Sequence, residues 1–231
     1  EILNYKPTTN VMLGLKTLLN GIRSFMSNKI LITGATGFIG SHLTEHLVEK
    51  GFNAIAFDRY NSNNDWGWLE NSKYTPSMEV ILGDVRDYDS VSKAMEGCSG
   101  VLHLAALIGI PYSYNSPLAY IRTNVEGTYN ILEAAKDNNL QRIIGTSSIA
   151  AFGPDTPLDN TPNETIQRPN TIYGISKVFG ELMGDYYFHK FGLDVRGVRL
   201  PGIISWKTEP TAGTTDYAVS IFYSAIREQH Y

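Results

Sequence analysis

The chain has 231 residues, enough for a sizeable core, and with 42% hydrophobic and 18% charged residues it has the composition of a folded protein rather than a disordered or fibrous one. A formal net charge of −4 without any basic run argues against a nucleic-acid or anionic-membrane surface. Cys98 is the only cysteine, which excludes an intramolecular disulfide and a multi-thiolate metal site and points to a reducing, cytoplasmic setting.

Along the chain, Val11, Leu15, Leu18, Ile22 and Phe25 recur at helical spacing, and Met26 follows. Residues 1–25 therefore read as an extension carrying an amphipathic helix. Lys6, Lys16 and Arg23 in it leave a mitochondrial presequence, and hence the mitochondrial matrix, as the alternative. No apolar stretch approaches the ~18 residues of a membrane-spanning helix, so a soluble protein is expected. From Lys29 on, short apolar runs rich in β-branched residues alternate with helical patterns. Strands are expected at 29–33, 53–58, 79–82, 100–104, 142–144 and 194–200, and helices near 38–50, 89–96, 117–138 and 172–191. This alternation predicts an α/β fold of Rossmann type, a doubly wound parallel sheet over residues 26–200 that binds ligands beyond the carboxyl ends of its strands. Pro154, Pro157, Pro162 and Pro169 make 153–170 a surface loop between a strand end and a helix, where an active-site wall belongs.

Three local patterns carry chemistry. Gly34, Gly37 and Gly40 lie between the first strand and the first helix, so that backbone N–H groups and a helix N-terminus face a pyrophosphate. Asp58 closes the second strand, where a carboxylate accepts ribose hydroxyls and repels a 2′-phosphate; the expected cofactor is NAD, with Arg59 as the residue that would favour NADP. Tyr173 and Lys177 sit one helical turn apart on one face, an arrangement in which the ammonium favours a phenolate. Ser148, at the end of the fifth strand, would hold a substrate oxygen while Tyr173 takes its proton.

Together with Gly83-Asp84-Val85 and His103-Leu104-Ala105-Ala106, these residues resemble the extended short-chain dehydrogenases/reductases over residues 29–231. The resemblance implies catalytic Ser148, Tyr173 and Lys177. It implies cofactor contacts from Gly34, Gly37, Phe38 and Ile39, from Asp84 and Val85 near the adenine, and from Leu104, Ala105 and Ala106 near the pyrophosphate and nicotinamide ribose. Asn124, Tyr173, Lys177 and Pro201 complete that set. Residues 29–140 resemble sugar-nucleotide epimerases and dehydratases. The stretch 146–231, with Ser148 to Pro154, Thr171 to Lys177 and Gly213 to Ala218, resembles short-chain-type L-threonine 3-dehydrogenase. In that second family Ser148 and Tyr173 engage the C3 hydroxyl, while Ser147, Thr214 and Thr215 complete the substrate site. Ile149 and Ala150 stand where a dehydratase carries its acid–base pair, so dehydration is disfavoured. The resulting expectation is NAD-dependent oxidation of L-threonine at C3. Sugar-nucleotide epimerisation is the enzyme alternative, and a regulatory NAD-binding protein or an inactive fragment the non-enzyme one. Residues 201–231 read as the start of a smaller substrate region cut short, and helices 117–138 and 172–191 as a homodimer surface. His42 and His46, one turn apart, lack a third ligand, so no metal is expected; Trp66 and Trp68 are read as packing under a loop.

Overall fold

Ile30, Leu31 and Ile32 follow one another in Lys29–Thr33 (β1) and are buried on both faces, as in a central strand of a parallel sheet. In the computed structural model, which describes residues 28–204 and 216–227, six parallel strands follow the order β3-β2-β1-β4-β5-β6. The others are Asn53–Asp58 (β2), Glu79–Leu82 (β3), Gly100–His103 (β4), Arg142–Ser148 (β5) and Asp194–Leu200 (β6). Ile30, Ile32, Ala54, Ala56, Leu102 and Ile144 point to one face and pack under Phe38–Glu49 (α1). Leu31, Ile55, Phe57, Val101 and Ile143 point to the other, against Tyr88–Ala94 (α2) and two long helices. Burying each such side chain contributes about 2 kcal/mol, so the period-2 pattern fixes both register and layering.

Three elements depart from the expected pattern. Ile110–Asn115 (α3) is a short helix with Pro111 in its first turn, where a missing N–H costs nothing. The helix expected over 117–138 is present but not uniform: Pro117–Tyr120 (α4) and Gly127–Asp137 (α5) run without interruption through a π-helical turn, Ile121–Glu126. The π turn carries Asn124, whose side chain is committed to the segment after β4, and this commitment accounts for a wider turn at that point. Strand β5 runs four residues further than its apolar core, because Thr146, Ser147 and Ser148 pair with Val198, Arg199 and Leu200 on β6. Ile172–Phe191 (α6) is capped by Thr171, which accepts from the Gly174 N–H, and stops at Gly192 with φ 71°. Tyr217–Arg227 (α7) is the last described element. The strand order reverses between β1 and β4, opening a crevice at the carboxyl ends of those strands. Among the described residues no helix is long and apolar enough to cross a membrane.

Candidate active site and cofactor cradle

The glycine loop is built by close approach of backbone to backbone. Gly34 has φ +71°, and a Cβ there would lie 2.8 Å from the Ala105 nitrogen; a Cβ on Gly40 would lie 2.0 Å from the Gly34 carbonyl oxygen. Gly37 would meet only the Gly34 oxygen, at 3.3 Å, so its outer side stays open as a cradle. Phe38 and Ile39 open α1, and the N–H groups of a first helical turn have no intrahelical acceptor. A pyrophosphate fits such a donor set. Asp58 also braces the loop: its Oδ2 accepts from the Thr36 N–H (2.8 Å) and hydroxyl (2.6 Å), and its Oδ1 from the Arg59 N–H (2.8 Å). With about four lone-pair sites, the carboxylate still has capacity for a ribose hydroxyl. Asp84 holds Arg86 in a two-pronged ion pair (2.9 and 2.5 Å) that keeps its carboxyl below the ordinary range. Val85 is buried, and its carbonyl accepts from Asn130. Trp68 packs on Phe38 with ring centres 5.3 Å apart, and its backbone N–H donates to the Thr36 carbonyl; Trp66 is more exposed. His42 joins that ring cluster edge-on, and among the described residues no group of three His, Cys, Asp or Glu is disposed to hold a metal.

His103, at the end of β4, is enclosed, and burial pushes its pKa down to about 3. Its tautomer follows from its neighbours. Thr128 donates to the Asn124 carbonyl (2.6 Å), so it accepts from His103 Nε2 (3.2 Å); Nδ1 then accepts from the Thr33 hydroxyl (2.8 Å), whose oxygen takes the Ala105 N–H (3.3 Å). This chain of bonds fixes Ala105 against β1. Asn124 clamps the next residues, accepting from the Leu107 N–H (2.8 Å) and donating to the Leu107 carbonyl (2.9 Å) and to Ser176 (3.1 Å). It therefore shapes the 104–109 segment, to which Leu104 and Ala106 belong.

Ser148, Tyr173 and Lys177 meet where β5 ends and α6 begins. A Cβ on Gly174 would fall 2.2 Å from the Ala150 carbonyl, so glycine is what lets the first turn of α6 approach this close. Burial pushes the Tyr173 phenol above its ordinary value, and the Ser148 hydroxyl beside it opposes that rise; the Ser148 oxygen itself accepts from the Ala150 N–H (3.1 Å). The Lys177 ammonium donates to the Thr146 carbonyl (2.8 Å) and stands 5.6 Å from the Tyr173 ring centre; burial brings it down to about 8. The spacing alone predicts a phenolate favoured by the lysine. In the folded chain desolvation outweighs that attraction, because both groups are withdrawn from water together.

Ser147 is not brought into this group. The strand alternates faces, and its hydroxyl donates to Glu181 instead. Pro201 follows β6, half-buried, while Thr214 and Thr215 lie outside the described residues. Glu181, which accepts from both Gln167 and Arg199 beside Ser147, has no place in the sequence expectations, nor have those two donors. The signal existed for one of them: Glu181 stands one turn beyond Lys177 on the face of Tyr173.

A family model for the NAD dependent epimerase/dehydratase family matches residues 30–228. An uncharacterized epimerase/dehydratase of Staphylococcus aureus is 42% identical over 207 residues, covering 88% of this chain and 62% of the relative. The structure of L-threonine dehydrogenase from Clostridium difficile is similar with a TM-score of 0.76 and 42% identity, over 88% of this chain and 62% of that one. UDP-glucose 4-epimerase from Brucella ovis, in complex with NAD, is similar with a TM-score of 0.64 and 30% identity, over 75% and 51% of the two chains. This chain spans 62% of the length of the curated relatives it matches. It belongs to the NAD dependent epimerase/dehydratase family, and its cofactor is NAD.

Proposed function

We propose that the protein oxidises L-threonine at C3 to 2-amino-3-oxobutanoate. The observation that carries this reading is the meeting of Ser148, Tyr173 and Lys177 at the end of β5, within a chain 42% identical to a threonine dehydrogenase of known structure. The glycine loop, Asp58, Asp84 and the His103-braced Ala105 would hold NAD, which when bound supplies a hydride acceptor and a positive ring. Ser148 donates a hydrogen bond to the C3 oxygen and orients it. Tyr173, as phenolate, takes the hydroxyl proton while the C3–H bond breaks and the carbonyl forms. Lys177, together with the positive ring of bound NAD, would favour that phenolate against the burial that raises its pKa, and Thr146 holds the ammonium in place. Ile149 and Ala150, in a single turn after β5, offer no side-chain acid or base, which supports oxidation over removal of water. Exposed Ile121, Tyr129, Leu182 and Tyr186 on the α4–α5 and α6 helices support a homodimer.

The test follows NADH absorbance with NAD and L-threonine, L-serine or a panel of UDP- and GDP-sugars. NADH with L-threonine is the expected result. Interconversion of a sugar nucleotide without net NADH would replace this reading by epimerisation, and NAD binding without turnover of any substrate would leave a cofactor-binding fragment.

A further inference from the structure

Loop 153–170 begins five residues after Ser148 and ends just before the cap of the helix that carries Tyr173. Its neck is closed within itself: Gly153 sits so tightly that a Cβ would fall 2.0 Å from the Arg168 carbonyl, and the Thr156 hydroxyl donates to the Ile166 carbonyl (2.6 Å). Its body is held from outside by one ion pair. Arg199 on β6 donates through Nε (2.9 Å) and Nη2 (2.6 Å) to the two oxygens of Glu181 on α6. The same guanidinium donates through Nη1 to the Asn163 carbonyl (2.7 Å) and lies 5.2 Å from the Phe152 ring centre. Glu181 in turn accepts from Gln167 (2.7 Å) and from Ser147. Burial pushes the Glu181 carboxyl up, but the donors of Arg199, Ser147 and Gln167 outweigh it and keep the group ionised.

Tyr173, Lys177 and Glu181 are spaced i, i+4, i+8 on α6, and Ser147 and Ser148 are adjacent on β5. The ion pair is thus bolted to the same strand and helix that carry the reacting groups. We propose that Glu181 and Arg199 form a clasp that fastens loop 153–170 to α6 and β6, making Glu181, Arg199 and Gln167 positioning residues for the Ser148–Tyr173 pair. The clasp acts on the substrate side. Its members make no contact with the glycine loop, so cofactor binding is independent of it.

The inference rests on the site reading above, and its test separates the two. Gln167→Ala removes one grip on the loop without stranding a charge, and Arg199→Lys keeps the charge but loses the fork that reaches Glu181 and Asn163 together. The first readout is cleavage at Glu164 by a glutamate-specific protease, expected to rise at least fivefold in both variants, with NAD affinity within twofold of the parent. The second is the titration of Tyr173, read at 295 nm as the difference from Tyr173→Phe in each background. Its midpoint should move upward as Ser148 loses its place. For a parent active on L-threonine, KM rises about fivefold or more and kcat falls less. Unchanged cleavage in both variants overturns the clasp, and raised cleavage with an unmoved Tyr173 midpoint overturns the positioning role. Both readouts stand even if L-threonine is not the substrate. Should Arg199→Lys fail to fold, Gln167→Ala decides the matter.

Discussion

Acidification should loosen the fold through His103 before the carboxylates begin to titrate. The folded pKa is about 3 and the ordinary value 6.5, so below pH 6.5 the unfolded chain binds a proton that the folded chain refuses. Stability therefore falls as the pH drops below 6.5 and keeps falling until about pH 3. Between pH 6.5 and 4.5 the loss is about 2.3 kcal/mol, because the slope is only half of about 1.4 kcal/mol per pH unit at pH 6.5 and approaches its full value a unit below; that is still a large share of an ordinary domain's stability. The cause is enclosure, to which the Lys177 charge adds: Nδ1 faces a threonine hydroxyl that donates to it, and among the described residues no carboxylate adjoins the ring to compensate a second proton. Urea unfolding of the cofactor-free protein at half-unit pH intervals measures the slope. His103→Gln retains a donor and an acceptor but cannot take up a proton in this range, so its stability should be nearly level over that window, whatever its absolute value. Equal slopes in the parent and His103→Gln would refute the reasoning.

Gly40→Ala should weaken NAD binding at least tenfold and cost about 1–2 kcal/mol of stability, since overpacking exceeds the roughly 1 kcal/mol gained in helix propensity; Gly145→Ala, with nothing within 4 Å, should change neither by calorimetry or thermal melting. NAD should bind more tightly than NADP in calorimetric titration, because Asp58 is held by Thr36 where a 2′-phosphate would approach; equal affinities would show that Arg59 overrides it. Tyr173→Phe should lower turnover by about 10²–10⁴ while leaving NAD affinity within twofold, since the ring stays and only the proton acceptor goes; an unaltered rate removes Tyr173 from the mechanism.

What the residues alone disclose is local in origin. The glycine spacing, the continuous apolar runs of β1, β2 and β4 and the Tyr173/Lys177 interval each depend on neighbours within a few positions, where backbone sterics, run length and the helical period suffice. Helix α3 and the π turn were not legible, because Pro111 reads equally as a breaker or a first-turn residue, and the wider turn exists for the bond between Asn124 and Leu107. Ser147 misled for a related reason: two adjacent serines are equivalent in sequence, and only the pleat sends one to Tyr173 and the other to Glu181. The electrostatics belong wholly to the tertiary structure. His103 is held neutral by burial and by the charge of Lys177, 74 residues away, while Thr33, 70 residues away, meets its Nδ1; Lys177 is itself brought down to about 8 by burial. Sequence determined which groups the chain has and how adjacent ones face. Folding decided which of them lose water and which distant partners replace it, because desolvation and pairing are set by whatever the sheet brings alongside.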